Sequence, residues 1–243
     1  MKLADFVINI DESKQDNRSL MMPHQKDAVD ALNRWFDLTG KVTGPQNGLI
    51  VMPTGSGKTY TAVYWLLNSG VAQGYKIVWL THRQELIAQT DSEFRRQAPS
   101  LKQYGVKRLR MISVSGSDYK MSHASRMDIN ICCIQSVANP YGYRFIKRML
   151  GIDGQRKLIV VIDEAHHATS PSYRKVLTRI SNLNPNRILL GLTATPMRMQ
   201  ESEHKRLLSM FDAGKGFIYE IKLKDLIRSG YLAKPIYQRI NTN

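Results

Sequence analysis

Cysteine is nearly absent: the 243 residues hold two, side by side as Cys132 and Cys133 inside an apolar run. Adjacent thiols in that setting offer neither a disulfide framework nor the spaced ligands of a metal site, and they read as buried strand residues. Long hydrophobic runs are missing too, since nothing approaches the ~18 consecutive apolar residues that cross a bilayer. The opening Met1-Lys2-Leu3-Ala4-Asp5 has no hydrophobic signal core, so the expectation is a cytoplasmic chain with no membrane partner. Acid is the third shortage. With 20 Asp and Glu against 35 Lys and Arg, the formal charge is +15. A surplus of that size suits a polyanion, nucleic acid first, although charge alone leaves an absent acidic partner domain equally open.

One stretch organises what is present, Leu49-Ile50-Val51-Met52-Pro53-Thr54-Gly55-Ser56-Gly57-Lys58-Thr59. Leu49 to Met52 is a bare apolar run, as in a strand buried on both faces of a parallel sheet. It enters a glycine-spaced turn ending in Lys-Thr, and a helical pattern follows from Tyr60 to Leu67. That strand–loop–helix order is what a phosphate-binding loop requires. Gly55 and Gly57 let backbone N–H groups converge on an anion, and the helix adds the positive end of its dipole. Lys58 can reach β- and γ-phosphates, and the Thr59 hydroxyl can ligate magnesium. Met52 stands where the usual pattern has its first glycine.

Around this stretch strands and helices alternate. Phe6 to Ile10 reads as an edge strand or extension, followed by a polar segment from Asp11 to Ser19. Pro23 opens a helix, and a loop from Thr39 to Gly48 leads to the phosphate-loop strand. Further strands are expected at Lys76–Leu80, Leu109–Val114, Ile129–Ile134, Leu158–Ile162, Ile188–Leu192 and Phe217–Ile221. Helices are expected near Gln84–Gln97, Tyr143–Leu150, from Ser170-Pro171 onward, Glu201–Phe211 and Leu223–Ser229. Such βα alternation predicts an α/β fold, a mainly parallel central sheet with helices on both faces in three layers.

The Leu158–Ile162 strand runs into Asp163-Glu164-Ala165-His166. In open α/β sheets ligands sit at the carboxyl ends of strands, so Asp163 is expected to share an edge with the phosphate loop, at a neighbouring strand tip. An Asp there can hold magnesium, and an adjacent Glu can deprotonate attacking water.

Taken together, Met52 to Thr59, Asp163 to His166 and Leu192-Thr193-Ala194-Thr195-Pro196 resemble the nucleotide-binding and coupling motifs of superfamily 2 helicases. The sequence is most similar to the DEAD/DEAH ATP-binding domains of the restriction-enzyme-like branch. Thr81-His82-Arg83-Gln84-Glu85-Leu86 with Gln89, Ile134-Gln135-Ser136 and the extended acidic motif from Asp163 to Ala168 carry the narrower likeness. The resemblance implies a RecA-like P-loop NTPase lobe that uses ATP and Mg2+ and acts on nucleic acid, DNA ahead of RNA. It implies that Lys58 holds the phosphates among loop residues Met52, Pro53, Thr54, Gly55, Ser56 and Gly57. Thr59 and Asp163 would hold magnesium, and Glu164 would be the general base. His166 would link the nucleotide to Thr193, Ala194 and Thr195, and Gln25 would read adenine. Thr81, His82, Arg83, Ser115, Gly116, Gln135 and Ser136 would line the nucleic-acid path. The basic clusters at 107–110, 143–148 and 174–175 extend that path or are solvated faces. Tyr141, Tyr143 and Phe145 stack bases or pack the core.

Relatives of this kind have two RecA-like lobes with ATP between them. Since 47 residues follow Pro196, the expected division is an extension at 1–20, the first lobe at 21–236 and the start of a linker to a second lobe at 237–243. An RNA helicase lobe, a catalytically silent nucleotide-gated scaffold and a P-loop enzyme unrelated to nucleic acid are the competing readings.

Overall fold

The computed structural model describes residues 6–12, 21–38, 46–116, 123–150, 157–195 and 201–234. Ser117, Pro196, most of the polar segment before Leu20, most of the loop from Thr39 and the linker at 237–243 lie outside them.

The strands are β1 (Val7–Asn9), β2 (Asn47–Val51), β3 (Lys76–Thr81), β4 (Arg108–Val114), β5 (Ile129–Cys133), β6 (Leu158–Asp163), β7 (Ile188–Thr193) and β8 (Tyr219–Glu220). They form one sheet in the order β1-β4-β5-β3-β6-β7-β2-β8. Every pairing is parallel except that of β1 with β4. The helices are α1 (Pro23–Trp35), α2 (Lys58–Trp65), α3 (Gln84–Gln97), α4 (Ile134–Ala138), α5 (Pro140–Leu150), α6 (Pro171–Leu183), α7 (Glu201–Met210) and α8 (Leu223–Arg228).

The composition of the strands explains the layering. β3, β5, β6 and β7 are buried at every position, so alternate residues must find apolar cover on opposite faces. One core joins Ile50, Trp79, Ile131 and Val161 to Leu32, Trp65 and Phe94 of α1, α2 and α3. The other joins Leu49, Leu80, Cys132 and Ile162 to Phe145, Val176 and Leu207 of α5, α6 and α7. The adjacent cysteines divide between the two faces, as period-2 alternation requires.

Three details depart from the sequence reading. Ile134 opens helix α4 instead of ending β5. The tight approach of α5 onto that helix requires Gly142, where a Cβ would lie 2.4 Å from the Ser136 carbonyl oxygen. The expected strand at Phe217–Ile221 shrinks to two residues on the sheet edge, with Ile218 and Ile221 still donating to β2 carbonyls. The third is the most consequential. β2 and β6 are not neighbours, because β7 lies between them. The phosphate loop and the acid pair therefore meet across the tip of β7.

Since the strands other than β1 run in parallel, their carboxyl ends form one edge. That edge divides by strand order into a β6-β7-β2 half and a β4-β5-β3 half. Among the described residues no helix is long and apolar enough to cross a membrane.

Candidate nucleotide site and the adjoining strand tips

Gly55 and Gly57 take φ of 84° and 83°, in the left-handed region where a β-carbon is strained. Space forbids one at 57 as well, where it would lie 2.2 Å from Gln25 Nε2. The Ser56 hydroxyl donates to the Pro53 carbonyl at 2.7 Å and closes the turn, and α2 begins at Lys58. Met52 is fully buried in the α1–α2 core, and its N–H donates to Thr193 O at 3.0 Å. The side chain that replaces the usual glycine thus packs inward and leaves the anion cradle free.

Gln25 and His24 brace the loop from behind. Both Gln25 Nε2 and His24 Nε2 donate to the Ser56 carbonyl, at 3.1 and 2.9 Å, while Gln25 Oε1 accepts from Met22 N at 3.0 Å. One Nε2 proton of Gln25 is left over.

Across β7, Asp163 is 5% exposed at the end of β6. Glu164 follows with φ of 53°, an uncommon value for a residue other than glycine, and its N–H donates to Asp163 Oδ1 at 3.0 Å. That twist aims the Glu164 carboxylate at Lys58, whose Nζ lies 2.9 Å from Oε1. His166 Nδ1 stands 3.3 Å from the other oxygen and 3.5 Å from Thr193 Oγ1, and that hydroxyl accepts from Thr195 N at 3.3 Å. The two carboxylates are pushed apart. Burial drives Asp163 up to about 6, while the His166 hydrogen bond and then Lys58 hold Glu164 down at about 2.

A cleft of about 360 Å³ opens here, lined by loop residues 53–55 and 57–60 and by Asp163 and Glu164. Its far wall is α3, through Leu86, Gln89, Thr90 and Glu93. Leu86 and Gln89, which carry the family likeness without an assigned role, line the cleft beside the phosphate loop. Glu93 was not anticipated, since one acid on a charged helix carries no signal. Asp163 and Thr59 both line this cleft, and a buried carboxylate together with a hydroxyl would suit Mg2+, which takes its remaining ligands from phosphate and water.

The other half of the edge gathers the remaining segments. Gln135 Nε2 donates to the His82 carbonyl at 3.1 Å, joining the β5 and β3 tips. Arg83, Gln135, Ser115 and Gly116 are exposed there. Thr81 and Ser136 are buried, and Thr81 Oγ1 has no hydrogen-bond partner among the described residues. Phe145 is core, and Tyr143 lies under the Arg179 guanidinium at 4.8 Å. Between the halves runs a row of imidazoles that the sequence reading missed. His82 lies 4.1 Å from His167, and His167 lies 4.2 Å from His166. Burial above all lowers His82 and takes His167 down to about 4.

This fold recurs in the Pyrococcus furiosus Hef helicase domain, with a TM-score of 0.61 and 20% identity over 85% of this chain and 39% of that one. It recurs in the Sulfolobus solfataricus SWI2/SNF2 ATPase core in complex with dsDNA, with a TM-score of 0.57 and 15% identity over 83% of this chain and 38% of that one. The architecture is the RecA-like lobe of a superfamily 2 helicase, in the restriction-enzyme-like branch. Residues 19–198 match the family described as "Type III restriction enzyme, res subunit", and the chain belongs to that family. It is 26% identical over 210 residues to the Type I restriction enzyme EcoAI endonuclease subunit of Escherichia coli, covering 84% of this chain and 22% of that protein. The chain spans between 22% and 31% of the length of the curated relatives it matches.

Proposed function

We propose that this chain is the ATP-binding first lobe of a DNA helicase or double-stranded DNA translocase, active in hydrolysis once a second lobe closes on it. The observation that carries this reading is the 2.9 Å contact of Lys58 with Glu164 at the mouth of the cleft, between residues 106 positions apart. Backbone N–H groups of the glycine turn and the start of α2 receive the phosphates, and Lys58 exchanges Glu164 for their β- and γ-oxygens. Mg2+, when bound, neutralises developing phosphate charge, and Thr59 and Asp163 are the side chains that would hold it. Glu164, ionised at neutral pH, takes the proton of the attacking water. His166 orients that carboxylate and carries its position to Thr193 and Thr195. Gln25 would offer its spare amide proton to the base.

Nucleic acid lies along the β4-β5-β3 half of the edge. Arg83, Gln135, Ser115 and Gly116 meet phosphates, which every sequence shares. Thr81, His82 and Ser136 shape the backbone of that path from within. The surplus of 15 positive charges supports such a partner. We assign residues 21–236 to that lobe.

Steady-state ATP turnover tests this. The expected result is slow turnover by the chain alone and strong stimulation by double-stranded DNA after a second lobe is supplied in cis or trans. Stimulation by RNA of the same sequence in preference to DNA would move the substrate assignment. Rapid DNA-stimulated turnover by the chain alone would refute the two-lobe requirement.

A further inference from the structure

The phosphate loop has two sides. Toward β6 stand Asp163 and Glu164, where the terminal phosphate belongs. Toward β8 stands α8, and the chain leaving α8 turns back to the loop. That return is set by a glycine-terminated helix end: Gly230, φ 74°, donates to Ile227 O at 3.1 Å, and Tyr231 donates to Leu226 O at 2.9 Å. Leu226 is fully buried, so the turn has a fixed anchor. It lays Leu232 against Gly55, with Cδ2 3.2 Å from where a β-carbon would be. It lays Tyr231 on His24, with ring centroids 5.2 Å apart and planes inclined by 54°. His24 is itself locked to the Ser56 carbonyl, so the Tyr231 ring has a rigid backing. Yet Tyr231 stays 40% exposed, an aromatic surface held in place beside a phosphate cradle with nothing covering it among the described residues.

Resting on the phosphate-site reading above, we propose that Tyr231 is the platform on which the base of the bound purine nucleotide stacks. A nucleotide whose last phosphate reaches Lys58 on the β6 side extends its base past Gly55 and Ser56 toward α1 and β8. Tyr231 and the spare Gln25 proton stand on that side. Stacking uses the ring face alone, so the phenol hydroxyl is dispensable, and a purine gains more than a pyrimidine from its larger area.

Calorimetric titrations with a magnesium-bound nonhydrolysable ATP analogue and with magnesium tripolyphosphate separate base from phosphate binding. For Tyr231→Ala the expected loss is about tenfold in affinity for the ATP analogue, with tripolyphosphate affinity kept within about twofold. Tyr231→Phe should match wild type with both ligands. The platform is overturned if Tyr231→Ala leaves the ATP analogue unaffected, or if it weakens tripolyphosphate equally, since the residue then only packs the loop. Wild-type chain that binds neither ligand would overturn the phosphate site itself, and the platform with it.

Discussion

Lys58 is already paired with Glu164, and this makes Glu164→Gln informative. The ion pair joins a side chain 9% exposed to one 26% exposed, at 2.9 Å. Fully exposed pairs contribute about 0–1 kcal/mol, and breaking a fully buried pair costs about 3–5 kcal/mol. The intermediate exposure here points to roughly 1–2 kcal/mol. Losing it should lower the thermal midpoint of the free chain by roughly 2–4 °C for a domain of this size. A triphosphate needs the same ammonium, so in wild type the pair is given up on binding, whereas in the variant it is already gone. The affinity for a nonhydrolysable ATP analogue should therefore rise by roughly five- to thirtyfold, even as stability falls. Differential scanning calorimetry and isothermal titration on the same preparation read both quantities. A variant that is less stable but binds the analogue no better, or more weakly, would show that Lys58 and Glu164 do not compete with phosphate.

Gly57→Ala should cost about 1–2 kcal/mol from its positive φ, plus more from the Gln25 contact, and should abolish analogue binding. Gly74→Ala shares a φ of 80° with open space around it and supplies the comparison in denaturant melts; equal losses would mean that the Gln25 contact is immaterial. Thr81→Val removes a buried hydroxyl that has no partner among the described residues, so stability should hold or rise and DNA affinity should stay unchanged; weakened DNA binding would return Thr81 to the contact surface. His167 takes a proton near pH 6.5 when unfolded and near 4 when folded. The unfolded state thus binds more protons between those values, and acidification through that window destabilises the fold. His167→Phe keeps a ring in the row without the titration, so its thermal midpoint should fall less between pH 7 and pH 5; an identical fall would remove His167 as the cause.

How legible the molecule was depended on the range of the interactions involved. α3 begins at Gln84 and ends at Gln97 as its pattern indicates, and the apolar strands fall within a residue or two of their expected limits, because local periodicity decides both. The glycine turn and the acid pair were legible because their chemistry demands particular residues at particular spacings. Strand order was less so. Nothing local in β7 says that it wedges between β2 and β6, since neighbour choice among parallel apolar strands is settled by helix cover and register. The same reason hid the His82–His167–His166 row, since His82 and His167 lie 85 residues apart in sequence and meet only because β3 and β6 pair. Tyr231 gave no sign either, because a tyrosine after a glycine carries no pattern until the turn after α8 lays it on His24. Met52 was the opposite case, an apparent flaw in the motif that the core explains.

The most direct test is titration of the ATP analogue with and without Mg2+ into the wild-type chain and into Lys58→Ala. One analogue per wild-type chain, bound more tightly with Mg2+ and lost in Lys58→Ala, is the predicted result. Equal binding by Lys58→Ala, or none by wild type under either condition, would contradict a triphosphate site between the glycine turn and the acid pair.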